Sequence, residues 1–166
     1  MANEHAFPKT EVGVVEIKTL PAGVVIESRA EDGSTYYDRS GDLFRPLFRY
    51  ISERDIAMTV PVEADLQPGV MRFWIAESEV TKADASTEEV TVRRLPERTV
   101  ASLGVRGGYS EANYEEAKAK LQAWLKANPQ WQPVGEPFMA FWDGPMTPWF
   151  VKRSEIHQAV VAREPE

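Results

Sequence analysis

The sequence contains no cysteine and only two histidines among its 166 residues. Without cysteine, disulfide bonds, thiolate nucleophiles and cysteine-ligated metal sites are excluded. The histidines, His5 and His157, are far apart in the sequence, and His157 lies in the predicted last strand, where an ordinary strand residue is the simpler interpretation. No metal site is therefore predicted. The absence of cysteine is compatible with a cytoplasmic location, which is the expectation here.

Long hydrophobic runs are also missing, because no segment approaches the roughly 20 apolar residues that cross a bilayer. The N-terminus has no basic segment followed by an apolar one, so no secretory signal is predicted. Acidic residues outnumber basic residues by 26 to 19, which gives a formal charge of −7. This charge would repel a phosphate backbone. We therefore expect neither a membrane span nor nucleic-acid binding.

Familiar catalytic motifs are absent, since the chain has no Gly-x-Ser-x-Gly, P-loop or Gly-x-Gly-x-x-Gly pattern. Most carboxylates lie in polar runs that are interpreted as solvated surface. Glu136 and Asp143 differ, because they lie at the start and at the end of an aromatic strand. Either could face a cleft as a general acid or base, although a solvated loop acid is the simpler interpretation.

An apparent internal duplication organises the chain. Val15–Pro21 and Val90–Pro96 are both alternating strands that end in Leu-Pro, and each is followed by a second strand, an amphipathic helix and two further strands. The pattern predicts one α+β domain over residues 1–166. Its predicted parts are a first repeat at about 12–76, a linker at 77–89 and a second repeat at about 90–161. The further strand candidates are Val24–Ile26, Ile56–Val62, Met71–Ala76, Thr99–Ala101, Phe138–Trp142 and Ile156–Val161.

The two predicted helices differ in regularity. Ser110 followed by Glu111 is a good helix start, and Asn128-Pro129 stops the second helix. The first helix contains Pro46, which is disfavoured in a helix interior. We therefore expect its regular part to begin a turn or less before Pro46, after a bend at Gly41–Leu43.

Aromatic residues are abundant, and the five tryptophans exceed what one core of this size usually holds. Some of them are expected to line a cavity, and Trp142 is one candidate. Prolines and glycines near residues 144–148 favour an irregular backbone that presents Met146, Trp149 and Phe150. Such a segment often forms the wall of an apolar cleft.

Arg45 and Arg49 lie four residues apart on the first helix, beside an apolar stripe that includes Phe48. Two guanidinium groups on one face could bind the carboxylates of a ligand. From their spacing alone, ordinary surface arginines are the simpler interpretation.

Three motifs together resemble those of the SOUL haem-binding protein family, which is related to the GyrI-like small-molecule-binding domains. They are Phe48-Arg49-Tyr50-Ile51, Ile56-Ala57-Met58-Thr59-Val60-Pro61-Val62 and Pro145-Met146-Thr147-Pro148-Trp149-Phe150-Val151-Lys152-Arg153-Ser154-Glu155. The match in order and spacing runs from about Val12 to Val161. It implies a distorted antiparallel β-barrel made of two pseudo-twofold strand-strand-helix-strand-strand repeats with two flanking helices.

The resemblance also implies that haem, another porphyrin or a similar bulky hydrophobic molecule binds in an apolar cleft beside the first helix. Family positions that are proposed to line the cleft correspond to Arg49, Met58 and Thr147. The position of Thr147 is basic in some members, and Val12–Ser28 contains no counterpart of the histidine proposed as an axial ligand in others. Any haem is then expected to be held by apolar burial and propionate contacts.

Together, these arguments predict a binding protein whose ligand contacts are Arg45, Phe48, Arg49, Met58, Trp142, Met146, Thr147, Trp149 and Phe150. A GyrI-like sequestering domain or hydrolase that uses Glu136 or Asp143 is the alternative. A partner-binding module without a small ligand is a third, less favoured interpretation.

Overall fold

A computed structural model describes residues 4–144 and 146–164 of the chain. Pro145, the first residue of the late motif, lies outside the described residues, as do both ends of the predicted domain. The chain folds into two compact units. Unit 1 comprises the residues up to Phe7 and Pro21–Glu97, and unit 2 comprises Pro8–Leu20 and the residues from Arg98 onward.

Strands and helices alternate along the described part of the chain. The strands are β1 (Glu4–His5), β2 (Val15–Leu20), β3 (Gly23–Arg29), β4 (Thr59–Leu66), β5 (Gly69–Ile75), β6 (Thr91–Leu95), β7 (Arg98–Arg106), β8 (Trp131–Pro133), β9 (Phe138–Phe141) and β10 (Arg153–Ala162). The helices are α1 (Tyr36–Glu53), α2 (Glu111–Ala127) and a short 3₁₀ helix (Glu77–Lys82).

Each unit is a largely antiparallel sheet with one α-helix. In unit 1 the strand order is β4-β5-β3-β6, and β1 pairs in parallel with β4. In unit 2 the strand order is β2-β7-β10-β9, and β8 pairs with β10. The core of unit 1 includes Ile26, Leu47 and Phe73, and that of unit 2 includes Leu121 and Ile156. The predicted α+β class is confirmed.

The first strand of each predicted repeat pairs inside the other unit. β2 pairs with β7, and β6 pairs with β3. Both exchanged strands end at a Leu-Pro step, where proline has no N–H to continue the ladder. Each compact unit therefore combines strands from both predicted repeats. The duplication itself stays a prediction.

The start of α1 differs from the expectation, which was wrong at this point. The helix begins at Tyr36, where the Thr35 side chain caps it, and it continues as one helix through Gly41–Leu43 and Pro46 to Glu53. Pro46 removes only the hydrogen bond to the carbonyl of Asp42, which lies on the exposed side of the helix, where water can take its place. On the buried side, the Ser28 hydroxyl donates to the Leu43 carbonyl at 2.6 Å and anchors this turn to β3.

The second helix has the predicted ends. The Ser110 hydroxyl accepts a hydrogen bond from the Asn113 N–H at 3.1 Å, and Asn128 ends the helix. The strands agree with the predicted ones to within a few residues: β4, for example, begins at Thr59 rather than Ile56. The short strands β1 and β8 were not predicted, because their few residues carry no alternating pattern.

Candidate functional site

The exposed surface of α1 carries two stacked phenylalanines. Phe44 and Phe48 lie one turn apart, with ring centroids 5.5 Å from each other and an interplanar angle of 18°. Their exposed fractions are 37% and 51%, while Leu43 and Leu47 on the adjacent side of the helix are buried. Phe44 also contacts Phe73 of β5 at 5.6 Å between centroids, which fixes the pair to the sheet of unit 1. Large apolar side chains arranged in this way are typical of a binding surface.

Two arginines flank these rings. Arg45 forms an ion pair with Asp42 at 3.2 Å, and Arg49 forms one with Glu89 at 3.6 Å. All four side chains are solvent-exposed, and such pairs contribute about 0 to 1 kcal/mol each. A ligand carboxylate can therefore replace either partner at small cost. We call Phe44, Arg45, Phe48 and Arg49 the α1 face.

The third predicted residue of unit 1, Met58, lies directly before β4 and is half-buried. The neighbouring Ala57 N–H donates to Glu79 at 2.8 Å, so the 3₁₀ helix holds the segment that leads into β4. Met58 thus lies on an anchored segment of the same unit as the α1 face.

The late motif lies in unit 2, between β9 and β10. Met146 and Trp149 are 94% and 70% exposed, Phe150 is also exposed, and Thr147 is half-buried. The Thr147 N–H donates to the Gly144 carbonyl at 3.2 Å, and the Val151 N–H donates to the Pro148 carbonyl at 3.1 Å. These turns give the segment a defined shape, and the Trp149 and Phe150 rings, which meet edge to face at 5.8 Å between centroids, stay largely exposed.

Trp142 has a different environment from the other predicted ligand contacts, because it is buried. Its indole N–H donates to Glu155 Oε2 at 2.7 Å, and Lys9 Nζ lies 5.3 Å from the centre of its ring. The tryptophan thus belongs to the polar interior of unit 2.

Glu155 is the centre of that interior, and sequence reasoning assigned it no role. Its side chain is fully buried and accepts five hydrogen bonds. The donors are Lys18 Nζ at 2.6 Å, His157 Nε2 at 2.7 Å, Trp142 Nε1 at 2.7 Å, the Thr10 N–H at 2.9 Å and Ser102 Oγ at 3.1 Å. Burial by itself would raise the pKa of Glu155, but the hydrogen bonds and charges of His157 and then Lys18 outweigh burial and lower the pKa to about 2. We call these six residues the Glu155 cluster.

Unit 1 contains a second buried glutamate, Glu63, with a related arrangement. Glu63 accepts from Trp74 Nε1 at 3.2 Å and from Arg72 Nε at 3.1 Å. Arg72 also donates to both carboxylate oxygens of Asp65, at 2.6 and 2.9 Å. Desolvation would lower the pKa of Arg72, but the Asp65 hydrogen bonds and the charge of Glu63 outweigh it and raise the pKa. Each unit therefore pairs a buried glutamate with an indole N–H.

The two predicted acids of the alternative function occupy ordinary positions. Glu136 is exposed, in the loop before β9. Asp143 is half-buried, and its Oδ2 accepts a hydrogen bond from the Arg153 N–H at 2.7 Å, so it caps the end of the β9–β10 pair. The Tyr109 hydroxyl, which accepts from the Asp143 N–H at 3.0 Å, joins the same turn.

The donor atoms of the described residues do not form a metal site. Over residues 4–144 and 146–164, no group of three or more histidine and acidic side chains has the arrangement of a metal centre. His157 is fully buried in the Glu155 cluster, and His5 lies on β1. Neither histidine belongs to the α1 face. No described helix is long and apolar enough to span a bilayer.

Comparison with solved structures defines the fold class. The C-terminal domain of EcmrR superposes with a TM-score of 0.69 over 90% of this chain and 98% of that domain, at 13% identity. EcmrR in a complex with DNA superposes with a TM-score of 0.70 at 14% identity, and the superposition covers 90% of this chain and 58% of that chain. A structure described as a hydrolase from Listeria innocua gives a TM-score of 0.60 at 12% identity, covering 92% of this chain and 94% of its own.

A further relative, SAV2435, was solved bound to tetraphenylphosphonium and gives a TM-score of 0.56 at 10% identity, with 89% and 94% of the two chains covered. At these identities the likeness concerns the fold alone, which is the α+β fold of these proteins. No curated protein sequence matches the chain. The model of the SOUL heme-binding protein family, however, matches residues 4–159. The chain belongs to this family, as its three motifs indicated.

Proposed function

We propose that the protein binds haem, another porphyrin or a similar bulky, flat hydrophobic molecule, and that the α1 face is its main contact in unit 1. The observation that carries the proposal is the exposed Phe44–Phe48 stack with an arginine beside each ring. Family membership and the ligand-bound relative SAV2435 support small-molecule binding in general. Haem as the particular ligand, and a cytoplasmic location, are parts of the proposal.

The aromatic pair would supply apolar contact area. Phe48 is 51% exposed, and a phenylalanine can bury about 150 to 250 Å², so a flat ligand that covers most of the exposed surface buries on the order of 80 to 100 Å² of this ring. At about 25 cal/mol per Å², this contact contributes about 2 kcal/mol. Loss of the ring is therefore expected to raise the Kd roughly thirtyfold.

The arginines would select an acidic ligand. Their ion pairs with Asp42 and Glu89 are single, exposed contacts, which a propionate can replace with a comparable or bidentate one. A flat hydrophobic molecule without carboxylates would lack this contribution. We therefore expect porphyrins with propionates to bind more tightly than their esters.

The residues present fit a porphyrin better than a strongly ligated haem iron. Neither histidine belongs to the α1 face, and Met58, a weak ligand for iron, is half-buried. When bound, haem would supply a planar apolar surface, two carboxylates and an iron with open coordination positions. The phenylalanines of the α1 face would contact the planar surface, and its arginines would bind the carboxylates.

The test is a titration with haemin and with iron-free protoporphyrin, followed by the Soret band and by tryptophan quenching. We expect saturable binding of both, weakened by Phe48→Ser and by Arg49→Glu. Arg94→Glu is the matched control, since Arg94 is an exposed arginine on β6 of the same unit. Unchanged affinity in both α1 variants would refute the assignment of this face, and binding of haemin alone would show that an axial ligand is required.

The late motif of unit 2 is proposed as a second ligand-contacting surface and is tested by its own variants. Its exposed residues Met146, Trp149 and Phe150 offer apolar area in a segment of defined shape. Trp149→Ser should weaken binding if this surface takes part, whereas an unchanged Kd would remove the late motif from the proposal.

The alternative, a GyrI-like sequestering domain or hydrolase, has weaker support. A relative from Listeria innocua is described as a hydrolase, which concerns that protein. Here Asp143 is already engaged by the Arg153 N–H, and Glu136 is exposed in a loop. Turnover of an aryl ester that disappears in Glu136→Gln or Asp143→Asn would support the enzyme instead.

A further inference from the structure

Unit 2 contains a cavity of about 390 Å³ that neither the α1 face nor the late motif uses. It lies between one side of α2, the C-terminal part of β7 and the chain that leads into β2. This volume falls within the range of small-molecule sites in proteins. The lining residues are Val12, Gly13, Val15, Leu103, Gly104, Val105, Arg106, Asn113, Glu116, Ala117, Lys120 and Trp124.

The cavity arises from small residues where two elements face each other. Ala117 is the small residue on the buried side of α2, where its neighbours one turn away are Tyr114 and Leu121. On the other side, Gly104 must be glycine, because a side chain there would collide with the backbone of Glu11. Gly13 adds no side chain either, so the approach of the N-terminal segment to β7 leaves space beneath α2.

The lining separates into an apolar floor and a charged rim. Valine, leucine and alanine side chains form the floor, and Trp124 adds an aromatic edge. On the rim, Lys120 is paired with Glu116 at 3.2 Å, so these two charges compensate each other. Arg106 is exposed and forms no ion pair with any residue of the described chain. The rim therefore carries one uncompensated positive charge in a protein with a net charge of −7.

The position of Arg106 strengthens this asymmetry. It ends β7, the strand that a short connection joins to the N-terminus of α2, and it lines the cavity together with Asn113 of the first turn of that helix. The N-terminus of a 17-residue helix carries a partial positive charge that favours anions. One end of the cavity is thus suited to a negative group, while the floor is suited to an alkyl or aryl body.

We propose that this cavity is a second binding site, which takes a small amphiphile with one anionic head group, such as a medium-chain carboxylate. The alkyl chain lies on the floor between Val12, Leu103 and Ala117, and the carboxylate lies at Arg106. The site is distinct from the α1 face and from the exposed apolar residues of the late motif, because none of its lining residues belongs to either.

The test is calorimetric titration of the full chain with octanoate, decanoate and dodecanoate, below their micelle concentrations, and with decan-1-ol. We expect one molecule per chain and an affinity that rises about fourfold per added methylene while the chain still fits the floor. Decan-1-ol should bind about tenfold more weakly than decanoate. Equal binding of the alcohol and the carboxylate, or no dependence on chain length, would overturn the proposal.

Two pairs of variants locate the site. Val12→Phe fills the cavity, whereas Val14→Phe places the same side chain at an exposed neighbour outside the lining. Arg106→Glu reverses the rim charge, and Arg94→Glu makes the same change in unit 1. We expect Val12→Phe to abolish decanoate binding and Arg106→Glu to weaken it about tenfold, with both controls unchanged.

Haemin binding separates this proposal from the preceding one. Val12→Phe should leave the haemin titration unchanged, and decanoate should still bind to protein saturated with haemin. If decanoate and haemin compete, or if Val12→Phe and Val14→Phe behave alike, the second site does not exist as described. The porphyrin site would then be judged by its own variants.

Discussion

Replacing Glu155 with glutamine should destabilise unit 2 more than any comparable change of a surface acid. The variant keeps the size of the side chain but removes its negative charge and one acceptor oxygen. Oε1 accepts from Lys18, His157 and Ser102, and Oε2 accepts from Trp142 and the Thr10 N–H. In either orientation of the glutamine amide, its NH₂ group, which accepts no hydrogen bond, would face at least two of these donors. Lys18 would then keep its charge in a largely buried position without a counter-charge.

The magnitude follows from burial. The Lys18 and Glu155 side chains are 13% and 0% exposed, which makes their 2.6 Å contact a buried ion pair. Removing one partner of such a pair costs about 3 to 5 kcal/mol, because the remaining charge is left desolvated. Glu116→Gln is the matched control, since its 3.2 Å pair with Lys120 is about two-thirds exposed on both sides. That change should cost about 0 to 1 kcal/mol.

The assay is urea unfolding followed by circular dichroism and by tryptophan fluorescence, which also reports on Trp142 within the cluster. A loss below about 1 kcal/mol for Glu155→Gln, or equal losses in the two variants, would refute the reasoning. If Glu155→Gln does not fold, Lys18→Met offers a milder change, because it removes the partner charge and leaves four of the five donors to the carboxylate.

Three further predictions concern the Glu155 carboxylate, the late motif and the N-terminal cap of α2. The folded-state pKa of Glu155 is about 2, below its ordinary 4.5, so the charged carboxylate stabilises the fold fully above pH 4.5 and this stabilisation is lost as the pH falls towards 2. The difference in unfolding free energy between the native protein and Glu155→Gln should therefore shrink by about 3 kcal/mol across this range. Urea titrations at each pH would measure it. Thr147→Lys restores the basic residue present in some family members, and it should lower the Kd for protoporphyrin several-fold without changing that for its dimethyl ester, whereas equal effects on both would exclude a propionate contact. Ser110→Ala removes the hydroxyl that accepts from Asn113, so α2 should lose about 1 kcal/mol in thermal or urea unfolding, and no loss would mean that water replaces the cap.

Much of the candidate site could be found from the sequence because its signals are local. Four-residue spacing placed Arg45 and Arg49 on one helix surface with Phe48, and the proline-rich late motif indicated exposed aromatic residues. The extent of α1 could not be found in this way. Intrinsic propensity argues against a helix through Pro46, but packing on β3 and the hydrogen bond from Ser28 hold the helix together.

The role of Glu155, by contrast, could not be predicted from the sequence. In the sequence, Glu155 is one more acid beside basic residues, and its partner Lys18 is 137 positions away. The late motif includes Glu155 as its last residue, but nothing in the motif indicates that this carboxylate is buried. Its role depends on the crossing of the Thr10 segment over β7 and on the pairing of β7 with β10, which bring five donors to one carboxylate.

The sequence by itself determined the longer strands, the second helix and the family, because strand alternation, helix caps and three motifs act over a few neighbouring residues. Only the tertiary structure decided which strands share a unit, which carboxylates are buried and where the small residues leave a cavity. These properties depend on contacts between distant positions, and the energies of burial and desolvation that select them arise only when the chain is packed.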